Sequence, residues 1–185
     1  MFIWLVPHLT CFLLHKSNSI IKRDIERWLV FENKSPNYLK SIGLLLLNRK
    51  EFRNVFYHRL GKVGMILNIL LPKCNSLFIT TEHIGPGLFI QHGFATIISA
   101  KSIGKNAWIN QQVTIGFSNT TDCPVLLDNV TVNAGAKVIG GITVGNNVII
   151  GANAVVVKSV PDDCTVVGVP AYIIRRNGIK VKETL

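Results

Sequence analysis

The sequence predicts a mainly β chain, a parallel β-helix behind an N-terminal α-helical cap, and three observations carry that expectation. From Ile84 onward aliphatic residues recur every six positions, most cleanly at Leu126, Val132, Val138, Val144, Ile150 and Val156. That period fits neither a helix nor a half-buried strand. It fits coils of three short faces, about 18 residues per coil, stacked about 4.8 Å apart. Gly or Asn follows several of the anchors, as corners with positive φ require. Residues 1–75 lack this rhythm and show helical spacing instead, with Ile20, Ile21, Ile25, Trp28 and Leu29 on one face.

Residues 17–71 read as helices. Asn18 or Ser19 caps a first helix through Ile20–Phe31. Ser35 and Pro36 start a second that leads into Tyr38–Leu47, and a third spans Glu51–Leu60. Gly61 and Gly64 weaken the pattern beyond, and Pro72 marks a boundary. The early anchors are Ile84 and Ile90, then, after a one-residue slip, Ile97, Ile103, Ile109 and Ile115. Between Ile115 and Leu126 the interval lengthens, so a loop leaves the coil around Phe117–Pro124. The repeat ends at Pro161. The expected division is a helical cap over 1–75, a β-helix domain over 76–172, and a basic tail over 173–185 with Arg175, Arg176, Lys180 and Lys182. A stack of coils has open ends that need covering, and the helices are placed to cover the first.

At 185 residues and 48% hydrophobic, the chain forms one domain or two small parts sharing a core. Its net charge of +10 is uneven: residues 1–75 hold 12 Lys+Arg against 4 Asp+Glu, and residues 76–185 hold 8 against 6. A basic surface attracts nucleic acid, anionic lipid or a phosphorylated cofactor. No helix-turn-helix, zinc finger or aromatic RNA-binding signature is present, so nucleic acid is not an expected partner. Cys11, Cys74, Cys123 and Cys164 make no C-x-x-C pair; no metal site is expected, and scattered thiols suit a reducing compartment. Met1–Leu14 is apolar, too short to span a bilayer, and interrupted by Pro7 and His8. Lys16 follows the apolar run, whereas a signal peptide carries its basic residues before it, so the cytoplasm is expected. The segment reads as buried or interfacial; peripheral membrane contact, with the basic helices behind it, is the less favoured alternative.

His92 stands out by its place in the repeat. It lies two positions after Ile90, and one coil up at a time the matching residues are Gln111, Ala134 and Ala152. A polar pair thus sits beside small residues that leave an outer groove, wide enough for a thin chain such as a pantetheine arm. An imidazole placed there can take the proton of an attacking hydroxyl; the bland alternative is a histidine at a surface turn. His83 beside Glu82 reads as surface, because neighbours on a β face point opposite ways. His8, His15 and His58 fall in the helical front as structural or solvated groups.

The motifs "IGPGLFIQHG", "QQVTIG", "AGAKVIGG", "IIGANAVVVKSVP" and "VVGVPA", in that order, resemble the left-handed β-helix (hexapeptide-repeat) acyltransferases. Within them the serine acetyltransferase branch, in its short form, is the one resembled. "EFRNVFYHRLG" (Glu51–Gly61) is similar to the helical lead-in of that form, and the resemblance covers about residues 50–172. It implies a left-handed parallel β-helix and a homotrimer, with acetyl-CoA as co-substrate in the groove between neighbouring subunits. It also implies that His92 is the general base. Gln111, Ala134, Gly135 and Lys137 would line the groove, with Ala152 near its later part, and backbone N–H groups near Gly116 would meet the oxyanion. Transfer would be direct and metal-free.

Departures from the family pattern bear on the acceptor. Gln91 stands where an aspartate commonly precedes the base, and Asp122-Cys123 stand before Pro124 in place of an Arg-His pair. The acid that orients the base aligns near Leu77, which leaves Glu82, Asp122 or a partner subunit's carboxylate for that task. L-serine, giving O-acetylserine for cysteine biosynthesis, and a sugar hydroxyl of a surface polysaccharide are both acceptors the resemblance allows. A non-catalytic trimeric scaffold is the alternative from another class. The family's partner-binding tails end in Ile, and this chain ends in Leu185.

Overall fold

Helical spacing in the front segment becomes five helices: α1 (Leu5–Leu14), α2 (Asn18–Val30), α3 (Tyr38–Asn48), α4 (Lys50–Leu60) and α5 (Lys62–Leu70). The computed structural model describes residues 3–30 and 37–185. Met1, Phe2, the Phe31 end of the first expected helix and the Ser35-Pro36 start of the second lie outside the described residues. The apolar N-terminal segment is helical because Pro7 falls in its first turn, where a missing N–H is tolerated. It buries His8 and Phe12 and leaves Val6, Leu13 and Leu14 exposed. Helix α5 forms in spite of its glycine. A Cβ on Gly64 would meet the Tyr57 carbonyl oxygen at 2.2 Å, so the missing side chain is what lets α5 lie against α4.

Helix α4 is central to the cap, burying Phe52, Val55, Phe56 and Leu60 together with Arg53, Asn54 and Tyr57. Arg53 donates to the carbonyls of Leu46 (2.5 Å) and Leu47 (2.9 Å), closing the C-terminal end of α3 with a cation where the helix dipole favours one. His8 Nε2 lies 2.9 Å from the Tyr57 hydroxyl, which donates to Leu71 O at 2.7 Å. Burial holds His8 below the ordinary histidine range and pushes the Tyr57 phenol up to about 12. Tyr57→Phe removes both contacts of the hydroxyl. It is expected to lower stability by about 1–3 kcal/mol, read by denaturant titration.

The hexads wind into three parallel faces. The first face holds β1 (Leu77–Ile79), β4 (Thr96–Ile98), β7 (Thr114–Gly116), β10 (Lys137–Ile139) and β13 (Val155–Val156). The second holds β2 (His83–Ile84), β5 (Ser102–Ile103), β8 (Val125–Leu126) and β11 (Thr143–Val144). The third holds β3 (Phe89–Ile90), β6 (Trp108–Ile109), β9 (Thr131–Val132), β12 (Ile149–Ile150) and β14 (Cys164–Val167). On this third face Ile90, Ile109, Val132, Ile150 and Val166 stack in register and are fully buried. The corner between the second and third faces is held by a side-chain ladder at positive φ. Asn106 donates to Asn129 (3.0 Å), Asn129 to Asn147 (2.9 Å), and Asn147 to Asp163 (2.8 Å). These are the Asn residues that follow the anchors in the sequence. The loop after β7 leaves the coil where the lengthened interval placed it, and returns at β8.

Three expectations change. The anchor on the first face is Ile98, fully buried and in register with Ile115, while Ile97 is 44% exposed and stacks outward on Phe78. The coil runs past Pro161, because β14 pairs in parallel with β12. The basic tail is folded as β15 (Tyr172–Arg176) and β16 (Ile179–Thr184), which add antiparallel strands beyond β14. Arg176 there pairs with Glu183 at 2.6 Å, whereas Arg175, Lys180 and Lys182 stay exposed.

A buried ion pair and a chain of rings fasten the cap to the first coil. Arg59 Nε meets Asp24 Oδ2 at 2.9 Å. Asp24 Oδ1 accepts from the N–H groups of Gly87 (2.7 Å) and Leu88 (3.0 Å). Arg59 donates to the carbonyls of Ile84 and Gly85. Trp28 Nε1 donates to Leu88 O at 2.9 Å, and the indole meets Phe52 and Phe89 edge-on at 5.3 and 4.8 Å between centroids.

Candidate active site

The corner that follows the third face differs between coils. In the upper coils six positions separate the buried anchors, Ile109 from Ile115 and Val132 from Val138; in the first coil eight separate Ile90 from Ile98. The longer corner carries His92, Gly93, Phe94 and Ala95. It turns on two residues at positive φ, His92 (56°) and Ala95 (51°), whereas the corners above use Gln112, Gly135 and Asn153 singly. The enlargement stands His92 out from the coil as an exposed side chain.

His92 borders a cleft of about 610 Å³ between the cap and the first coil, lined from the coil by Phe89, Ile90 and Gln91. From the cap it is lined by Trp28, Asn48, Arg49, Lys50 and Glu51. The start of α4 thus supplies two cations and one carboxylate to the space in front of the imidazole. Sequence reading placed no cation near the base. Residues 49–51 lie about forty positions from His92, and only the docking of α4 onto β1 and β3 brings them there.

Gln111, Ala134 and Ala152 lie one above another at the corner, as the register required: Gly135 N donates to Gln111 O (3.0 Å) and Asn153 N to Ala134 O (2.9 Å). Gln111 and Ala134 are half-buried, and Ala152 is exposed. Lys137 opens β10 with its ammonium donating to the Gln112 carbonyl at 2.6 Å, which holds it along the corner. Gly116 is buried at the far end of β7, across the first face from this corner. None of these residues lines the His92 cleft. Glu82 lines a different cleft, with His83 and Arg59, and Asp122 sits in the loop bonded to Asn119. Neither expected carboxylate therefore reaches the His92 cleft within one chain.

Gly135 has φ +74°, and a Cβ there would come within 2.0 Å of Asn153 Oδ1. Gly135→Ala is therefore expected to cost about 1–3 kcal/mol through backbone strain, measured as a lowered thermal midpoint.

The family profile described as "Bacterial transferase hexapeptide (six repeats)" matches residues 124–158. The serine acetyltransferase of Synechococcus elongatus is 46% identical over 102 residues, covering 53% of this chain and 42% of that protein. That of Staphylococcus aureus strain Mu50 is 45% identical over 119 residues, covering 59% of this chain and 56% of that protein. The chain spans about half the length of the curated relatives it matches. Among solved structures, serine acetyltransferase from Brucella abortus superposes with a TM-score of 0.70 at 26% identity, covering 95% of this chain and 74% of that one. The Neisseria gonorrhoeae serine acetyltransferase in complex with serine gives 0.67 at 26% identity, covering 89% and 71%. A serine acetyltransferase in complex with CoA gives 0.67 at 25% identity, covering 89% and 73%.

Fold, repeat and profile together define the class: the chain is a parallel β-helix of six-residue repeats, similar over residues 124–158 to the hexapeptide transferases. Within that class the proteins it is similar to are serine acetyltransferases, the branch whose motifs its own resemble.

Proposed function

We propose that the protein is an acetyl-CoA-dependent O-acetyltransferase with His92 as general base and L-serine as the leading acceptor. The observation that carries this reading is the cleft itself, which an exposed imidazole lines together with Arg49 and Lys50 and whose volume of about 610 Å³ admits an amino acid with room to spare. A carboxylate substrate needs such cations. His92 takes the proton of the acceptor hydroxyl, and the oxygen attacks the thioester carbonyl. The tetrahedral intermediate then collapses, and the CoA thiolate leaves with the proton held by His92. No covalent enzyme intermediate is required.

The thioester arm lies along the corner of Gln111, Ala134, Gly135, Lys137 and Ala152, closed on its open side by a neighbouring subunit of a homotrimer. Support for that assembly comes from the outward row on the first face, where Phe78 (56% exposed) stacks on Ile97 (44% exposed). An apolar row of this kind suits a second copy better than water. Ala134→Phe is expected to raise the Michaelis constant for acetyl-CoA several-fold with little change in that for the acceptor; an unchanged donor constant rejects the groove.

A second reading, acetylation of a sugar hydroxyl, is favoured by Gln91 and by the Asp122-Cys123 pair in the loop, which replace the residues by which the family holds an amino acid. Release of CoA thiol is the test, with L-serine and a panel of sugars offered separately. Turnover with serine supports the first reading and turnover with sugars alone the second. Donor binding without turnover supports a scaffold.

A further inference from the structure

A histidine base works best when a second group fixes which ring nitrogen carries the proton. From the acetyltransferase reading above and the geometry of the His92 corner, we propose that Glu51 is that group: its carboxylate positions the imidazole of His92 from the first turn of helix α4.

The packing around Gly93 supports this. A Cβ built on Gly93 would meet Ile90 Cγ2 at 2.8 Å, Leu77 Cδ2 at 3.0 Å and Glu51 Cγ at 3.2 Å. The stem of Glu51 therefore lies against the residue that follows His92, beside the side chain of Leu77. Leu77 comes from β1 and has no group to offer an imidazole; Glu51 reaches the same spot from the cap and does. Ile90 and Leu77 already leave a Cβ on Gly93 no room, and the Glu51 stem closes the same space from the cap.

Glu51 is also unclaimed. Among the described residues its carboxylate makes no hydrogen bond or ion pair, although Arg53 acts on it at longer range. The other described carboxylates of the front segment are engaged. Asp24 is held by Arg59 and two backbone N–H groups, and Glu26 accepts from Tyr38 at 2.6 Å and from Arg23. Of the described residues that line the His92 cleft, Glu51 alone is acidic, and it shares that lining with Arg49, Lys50 and His92. A carboxylate in the first turn of a helix also favours the helix dipole; that role would leave the imidazole of His92 untouched, which separates the two explanations. The two side chains line one cleft without bonding each other, and contacts of this kind tighten when a substrate fills the site.

The test uses Glu51→Gln, which keeps the shape and removes the charge, and Glu51→Asp as the conservative variant. Nitrogen-15 spectra of histidine-labelled protein, at a pH where the ring is neutral, report which nitrogen of His92 is protonated. The expected result is one dominant tautomer in the unmodified protein and a mixture in Glu51→Gln. In turnover, kcat is expected to fall about 10-fold or more in Glu51→Gln, with the Michaelis constant for acetyl-CoA within about twofold and part of the loss recovered in Glu51→Asp. Identical His92 nitrogen shifts in both proteins overturn the proposal, whatever the turnover. If the shifts move but no acceptor is acetylated, Glu51 keeps its positioning role and the acetyltransferase reading fails. If the shifts and kcat are both unchanged while serine is acetylated, that reading stands and Glu51 is only a helix-end charge.

Discussion

Replacing His92 by Asn is expected to lower kcat at least about 100-fold while the protein folds and binds acetyl-CoA as before, the scale on which a general base contributes. Asparagine is the informative substitute because His92 sits at φ 56°. The left-handed region costs ordinary side chains roughly 1–2 kcal/mol and Asn less, since its short amide bonds locally. His92→Ala would mix loss of the imidazole with strain in an enlarged corner that already holds Ala95 at φ 51°. The measurement is thiol release under saturating donor and acceptor, beside a thermal melt and donor titration of the same variant. Turnover within a few-fold of the unmodified protein would remove His92 as the base. Loss of donor binding together with turnover would instead assign the residue to the corner's geometry.

The hexad rhythm made the three faces legible because each anchor is an isolated aliphatic residue pointing inward, and the column from Ile90 through Ile109, Val132 and Ile150 stacks as that rhythm required. It misread the first face because Ile97 and Ile98 are both aliphatic. A periodic count cannot separate an inward residue from an outward one that stacks on Phe78, and the two extra residues of the His92 corner shift the phase there. Helix α5 was obscured by Gly64, whose cause is a contact with Tyr57 that exists only after folding. The tail read only as basic because Arg175, Lys180 and Lys182 face water. The strands are set by pairing with β14, which local composition does not report. The site divides the same way. Gln111, Ala134 and Ala152 belong to the repeat and His92 follows its anchor Ile90, so all could be found by counting. The two-residue enlargement of the His92 corner could not, nor could Arg49, Lys50 and Glu51, which reach the cleft through the docking of a helix.

That docking depends on Asp24, and Asp24→Ala is expected to destabilise the protein by about 3–5 kcal/mol. The carboxylate side chain is 1% exposed and its guanidinium partner on Arg59 is 6% exposed. Removing it leaves a buried cation without its counter-charge and the N–H groups of Gly87 and Leu88 without an acceptor. Arg59 keeps its bonds to the Ile84 and Gly85 carbonyls, so it cannot swing to water without breaking those as well. Asp24→Asn retains an oxygen for the two N–H groups and loses only the charge, so its cost should be smaller. The paired change of Asp24→Leu with Arg59→Met should recover part of the loss, as exchange of a buried ion pair for apolar side chains often does. Denaturant unfolding of the three variants gives the order; equal stability of Asp24→Ala and the unmodified protein would mean that the aromatic contacts of Trp28 hold the cap alone. Because α2 and α4 form one wall of the His92 cleft, the alanine variant should also lose affinity for the acceptor below its melting temperature, while donor binding along the corner of Gln111, Ala134 and Ala152 persists. A parallel loss of both would show instead that the first coil, and not only the cap, is held in shape by this ion pair.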